Sequence, residues 1–190
     1  MTVLDNPAPA DVQGLACHAA LELAAQRPWN DITLRDIAAA GGVDFADLYA
    51  ATPGKAPLLR KIAAQLDQTA LKAGEFDGSL DVHDRLFEAV MARLEAMGPH
   101  RAALLSIARS DGLAALAPRL PLTAQALLEA AGIDTGGLRG PGRVAAMTMA
   151  WLAILQVWRA DEGALNRTMA EVDRQLKTLR KRLKRVGLGY

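Results

Sequence analysis

The chain has 190 residues, 51% hydrophobic and 23% charged, with a formal net charge of +1. That composition supplies a sizeable core and excludes a disordered chain, and the balanced total gives no bulk attraction for nucleic acid or membrane. The single cysteine, Cys17, excludes an intramolecular disulfide and a multi-cysteine zinc site.

Abundant Ala, Leu and Arg with few β-branched residues predicts an all-α protein of about nine helices. Residues 1–10 carry Pro7 and Pro9 and read as a disordered N-terminal arm without signal-peptide order. A first helix is predicted over 11–26, broken by Pro28. Thr33 then caps a brief helix, with Asp36 three residues on, and Gly41-Gly42 stops it. Asp44 opens another short helix, 45–51, which ends at Thr52-Pro53-Gly54, and a longer one is predicted over 55–72. Residues 74–80 lack periodicity and read as a linker. Further helices are predicted over 81–97, 100–110 and 122–131, with an irregular corner between Pro118 and Pro121. Residues 136–142 hold four glycines and a proline, so they read as a loop. Two long helices, 143–160 and about 165–186, close the chain. The longest uncharged run, 144–158, has fifteen residues, short of the roughly 20 that span a bilayer. A cytoplasmic location is the expectation.

Charge is unevenly spread. Six Lys/Arg face eight Asp/Glu over residues 1–72, and nine face thirteen over 73–173. Residues 174–190 carry seven basic side chains and no acid. The last helix also carries Leu165, Met169, Val172, Leu176, Leu179, Leu183 and Val186 at alternating spacings of four and three, an apolar stripe. Three roles fit it: a core or dimer helix with a basic solvated face, a membrane-surface helix, or a DNA-backbone contact. The helix over 143–160 is apolar on nearly every face, which suits a dimer interface outside and a pocket wall inside.

Residues 15–62 read as long helix, short helix, glycine turn, short helix, Pro-Gly corner and long helix. The wording Ala20-Leu21-Glu22-Leu23, Trp29, Ile32-Thr33-Leu34-Arg35-Asp36-Ile37-Ala38, Gly42-Val43, Leu48-Tyr49, Pro53-Gly54-Lys55 and Leu58-Leu59 resembles the TetR family of helix-turn-helix transcriptional regulators. The resemblance implies a helix-turn-helix domain at 11–54 and a ligand-binding, dimerising helical bundle at 55–190. It implies a homodimer that binds operator DNA and responds to a small hydrophobic ligand. Candidate DNA contacts are Thr33, Arg35, Phe45, Tyr49 and Lys55. The recognition helix departs from the usual pattern, because Asp44, Asp47, Ala50 and Ala51 stand where polar or basic readers are usual. Residues Leu86, Met91, Leu104, Leu127, Met147, Trp151 and Leu155 are expected to line an apolar cavity, on the reasoning that no buried charge is present to recognise an ion.

A second, looser resemblance lies toward the end of the chain. Ala130-Ala131-Gly132-Ile133-Asp134, Arg143 opening an apolar helix with Trp151 and Trp158, Asp161, and a final helix near Thr168 are similar to a TetR-like accessory protein of ubiquinone biosynthesis. That resemblance implies lipid binding and membrane-surface contact through Leu165–Val186 instead of DNA reading. No catalytic triad, nucleophile elbow, phosphate-cradling loop or metal-ligand cluster is found, and His18, His83 and His100 are dispersed. Neither enzymatic activity, nor a cofactor, nor a metal is expected.

Overall fold

The computed structural model describes residues 9–73, 79–110, 112–161 and 165–190. Residues 1–8 of the predicted arm and 74–78 of the predicted linker lie outside these. All regular structure among the described residues is helical, in ten α-helices and three short 3-10 turns. The chain divides into two compact units, residues 1–63 with 100–117, and residues 64–99 with 118–190.

The first unit is built on α1 (Pro9–Gln26), which packs against α2 (Leu34–Ala40), α3 (Phe45–Ala51) and α6 (Arg101–Ala108). Its inward positions are mostly alanine, with Ala16, Ala19, Ala20 and Ala24 buried, and small side chains let neighbouring helices approach closely. Ile37, Leu48, Ile107 and the opening half of α4 (Lys55–Ala73), through Leu58, Leu59 and Ile62, complete this core. The turn between α2 and α3 places Gly42 at φ +63°, a left-handed conformation that costs glycine no steric penalty. The Val43 amide donates back to the Ala38 carbonyl at 3.0 Å, which holds the two short helices in a fixed relation.

The second unit combines the later part of α4 with α5 (Val82–Met97), α8 (Leu120–Ala130), α9 (Gly140–Ala160) and α10 (Asn166–Arg185). Here α8 packs on α5 and α9, and α10 packs on α9 and α5. Leu86, Leu94, Leu128, Met147, Trp151, Ile154, Val172 and Leu176 are buried between them. Burial of this apolar area, at about 25 cal/mol per Å², is what drives the helices together.

Two predicted loops are shorter than expected, for one physical reason. The corner at 111–121 contains α7 (Gly112–Leu116), a 3-10 turn at Ala117–Arg119, and the start of α8 at Leu120. The glycine-rich run gives way to α9 at Gly140. Pro121 and Pro141 sit in the first turns of α8 and α9, where a missing N–H leaves no hydrogen bond unmade, so they start helices instead of breaking them. Gly140 is required there, because a Cβ would stand 1.7 Å from the Thr135 carbonyl oxygen. After Pro28, Trp29–Asp31 forms a further 3-10 turn with Trp29 buried.

The hairpin of α9 and α10 is fastened at both ends. Asp161 Oδ2 accepts from the Thr168 amide and hydroxyl at 2.9 and 2.8 Å. At the other end the buried Arg143 donates to the carbonyls of Asp134, Leu188 and Gly189 at 2.8–3.0 Å. No described helix is long and apolar enough to cross a membrane.

Candidate functional site

Three of the five candidate DNA contacts lie together on α2 and α3. The Arg35 guanidinium sits 4.3 Å over the centre of the Phe45 ring, and the Phe45 and Tyr49 rings are 6.1 Å apart. Tyr49 is 55% exposed although it is large and aromatic. Ala46 and Ala50, one turn apart, are exposed beside it and add no bulk to this face. Asp44 is the N-cap of α3, its Oδ1 accepting from the Ala46 amide at 2.7 Å and the Asp47 amide at 3.4 Å. Its charge therefore offsets the positive end of its own helix.

The other two candidates are committed internally. Thr33 and Asp36 form a reciprocal capping box, the Thr33 hydroxyl accepting from the Asp36 amide and Asp36 from the Thr33 amide. Hydrogen bonds from the Thr33 backbone and side chain, aided by the nearby Arg27, hold the Asp36 carboxyl below its usual range. The Asp36 carboxylate thus takes the Thr33 amide and the Thr33 hydroxyl the Asp36 amide, two donors with which the start of α2 would greet a phosphate. Lys55 turns inward: its Nζ donates to the Trp29 and Ile32 carbonyls at 2.7 and 2.6 Å and lies 4.5 Å over the Trp29 ring. Burial lowers its pKa, opposed by the charges of Asp31 and Asp36. Lys55 fastens the 3-10 turn to the start of α4.

The expectation of a charge-free interior fails in the second unit. Asp67 of α4 is 4% exposed and accepts from Arg93 Nε at 2.7 Å, Arg119 Nη2 at 2.8 Å and Thr123 Oγ1 at 3.0 Å. One carboxylate therefore faces two guanidinium groups. Arg93 Nη1 and Arg119 Nε are buried and make no hydrogen bond. Burial depresses the Arg93 pKa, while Asp67 opposes that shift. Asp67, Ala70, Leu71, Ala89, Arg93, Thr123, Ala126 and Leu127 enclose a cavity of about 10 Å³, room for no more than a single water. The signal was present in the sequence: Leu86, Val90, Arg93 and Met97 follow a four-three-four spacing, so Arg93 occupies a core position of α5.

Of the predicted cavity-lining residues, Leu86, Leu127, Met147 and Trp151 are buried in the second unit, Leu127 at the cavity just described. Met91 and Leu155 are half-buried in the same unit, and Leu104 belongs to the first. In α10 the central stripe residues Val172, Leu176, Leu179 and Leu183 are buried in the unit's own core. Met169 and Val186 are exposed, and Leu165 precedes the helix in a left-handed conformation at φ +53°. The apolar face that a membrane would take is thus already occupied by helix packing. On α9 the apolarity divides: one face is buried, while Met149, 64% exposed, and Leu152 point outward.

No protein-family profile and no curated protein sequence matches the chain. Solved structures do. A TetR transcriptional regulator from Nitrosomonas europaea is 22% identical over 88% of this chain and 96% of its own, with a TM-score of 0.69. One from a Rhodococcus species is 16% identical over 90% and 96%, with a TM-score of 0.68. A TetR-family regulator from Streptomyces coelicolor is 16% identical over 92% and 83%, with a TM-score of 0.59. Across nearly its whole length, helix-turn-helix and bundle alike, this chain has the all-α TetR-like fold.

Proposed function

We propose that the chain is a TetR-like transcriptional regulator, a homodimer that reads operator DNA with α3 and responds to a small molecule held in the second unit. The observation that carries the DNA reading is the exposed pair Arg35 and Tyr49, set on either side of the half-buried Phe45 ring on a helix-turn-helix. Arg35 and the Tyr49 hydroxyl supply phosphate or base contacts, and the small Ala46 and Ala50 permit close approach to the groove. The outward apolar face of α9, with Met149 and Leu152, is the dimer surface. The solved regulators of the same fold support this reading.

Arg35 is the only cation in α2 and α3. Few counterions are released per protomer, so affinity falls gently with salt. The test is anisotropy titration of DNA from the protein's own upstream region, with Arg35→Ala and Tyr49→Ala beside the wild type. Specific binding that both variants lose, with unchanged thermal stability and a dimer in sedimentation, supports the regulator.

The second reading, a lipid-binding accessory protein, is favoured by Asp44 and Asp47 on α3 and by the inward Lys55. Deleting α10 would remove core residues, so its test substitutes the exposed Lys181, Arg182, Lys184 and Arg185 by glutamine. No specific DNA binding, with anionic-liposome binding lost in that variant, overturns the regulator.

A further inference from the structure

We infer that the cluster of Asp67, Arg93, Arg119 and Thr123 is the recognition site for an anionic head group, and that the effector of this protein is an apolar molecule bearing a carboxylate. The inference rests on the reading that a small molecule is held in the second unit, and it names that molecule's chemical class.

Charge balance is the first argument. Two guanidinium groups share one carboxylate, Arg93 buried and Arg119 24% exposed, so the cluster keeps an excess of one positive charge at the edge of a low-dielectric interior. Unmade hydrogen bonds are the second. Arg93 is 5% exposed, yet its Nη1 has no acceptor, and Arg119 Nε is likewise unpartnered. A ligand carboxylate answers both deficits, since it brings a negative charge and acceptor oxygens for charge-assisted bonds from a guanidinium.

The surroundings fix the rest of the ligand. Arg93 lines the cavity together with Ala70, Leu71, Ala89, Ala126 and Leu127. Apart from Thr123 and Asp67, these walls offer only aliphatic carbon. Leu71 is 40% exposed, so the cavity lies close to solvent past one flexible side chain. At about 10 Å³ the free space beside Asp67 and Arg93 is no larger than a water. The ligand enters by displacing Leu71 and competing with Asp67 for the two arginines. Asp67 then acts as an internal stand-in for the ligand's own carboxylate.

The experiment is a thermal-shift and calorimetric titration of the purified full chain with octanoate and, as a neutral match of equal length, 1-octanol. Binding is read without DNA, so failure of the regulator reading leaves this test intact. Octanoate is expected to stabilise the protein with at least roughly tenfold preference over octanol. Asp67→Asn removes the internal competitor; it is expected to lower the melting temperature, and octanoate is expected to restore it with several-fold tighter binding. The double variant Asp67→Asn/Arg93→Met, which removes both charges of the close pair, is expected to fold and to lose the preference for octanoate. Equal responses to acid and alcohol overturn the inference. So does the absence of any octanoate response in both the wild type and Asp67→Asn, or a preference that survives in the double variant.

Discussion

Lys55 of the first unit and Arg93 of the second are held inside in opposite ways. In the first, Lys55 is held by two neutral carbonyls and an indole face. In the second, Arg93 is held by a full charge, the Asp67 carboxylate, which it shares with Arg119. A lysine ammonium that is partly solvated tolerates neutral acceptors, because its remaining donor reaches water. The Arg93 guanidinium, nine-tenths buried, draws a carboxylate in with it, whereas Arg143, about as deeply buried, is met by three carbonyls. The same residue class therefore fastens a turn in one unit and creates an electrostatically unbalanced site in the other.

The comparison is broken most severely by removing the shared acceptor. Asp67→Ala leaves two guanidinium groups facing each other and is expected to cost about 3–5 kcal/mol in urea unfolding. Lys55→Met in the first unit deletes two charge-to-carbonyl bonds and the contact with the Trp29 ring, and is expected to cost about 2 kcal/mol. A comparable loss from both would erase the distinction between the two kinds of burial. Lys55→Met is also expected to weaken DNA binding no more than its destabilisation explains, whereas Arg35→Ala, at an exposed position, is expected to change stability by under ~0.5 kcal/mol and to reduce operator affinity.

Alkaline pH sharpens the contrast by a smaller effect. Burial raises the Cys17 thiol from its ordinary 9.0 to about 11, against a lowering influence from Lys61. Between those values the folded chain keeps a proton that the unfolded chain releases. Cys17 therefore adds a fall in stability as pH rises from about 9, and none below it. Cys17→Ala is expected to flatten that fall in urea melts between pH 8 and 10.5.

The helix-turn-helix was legible because its signals are local. The capping residues Thr33 and Asp44, the Gly41-Gly42 stop and the Pro53-Gly54 corner each act within four residues of themselves. The edges that the sequence misplaced, at α8 and α9, turn on one ambiguity, since proline both ends helices and begins them. The interior of the second unit was less legible because its polar contacts join residues 26 to 56 positions apart, Asp67 to Arg93, Arg119 and Thr123. An apolar stripe interrupted by arginine marks such a residue but does not name its partner. The same holds for Arg143, which shares the buried face of α9 with Met147, Ala150 and Ile154 while its contacts lie up to 46 residues away.

Helix ends ordinarily fray, and their amide protons exchange quickly with solvent. The end of α10 is tied to the start of α9 by the Arg143 guanidinium, and its beginning to Asp161 through Thr168. Opening the last turn thus requires breaking bonds at the far side of the hairpin as well. Deuterium uptake along residues 176–188 then becomes a cooperative event, slow and nearly uniform, and Arg143→Lys converts it into a gradient that quickens toward Leu188.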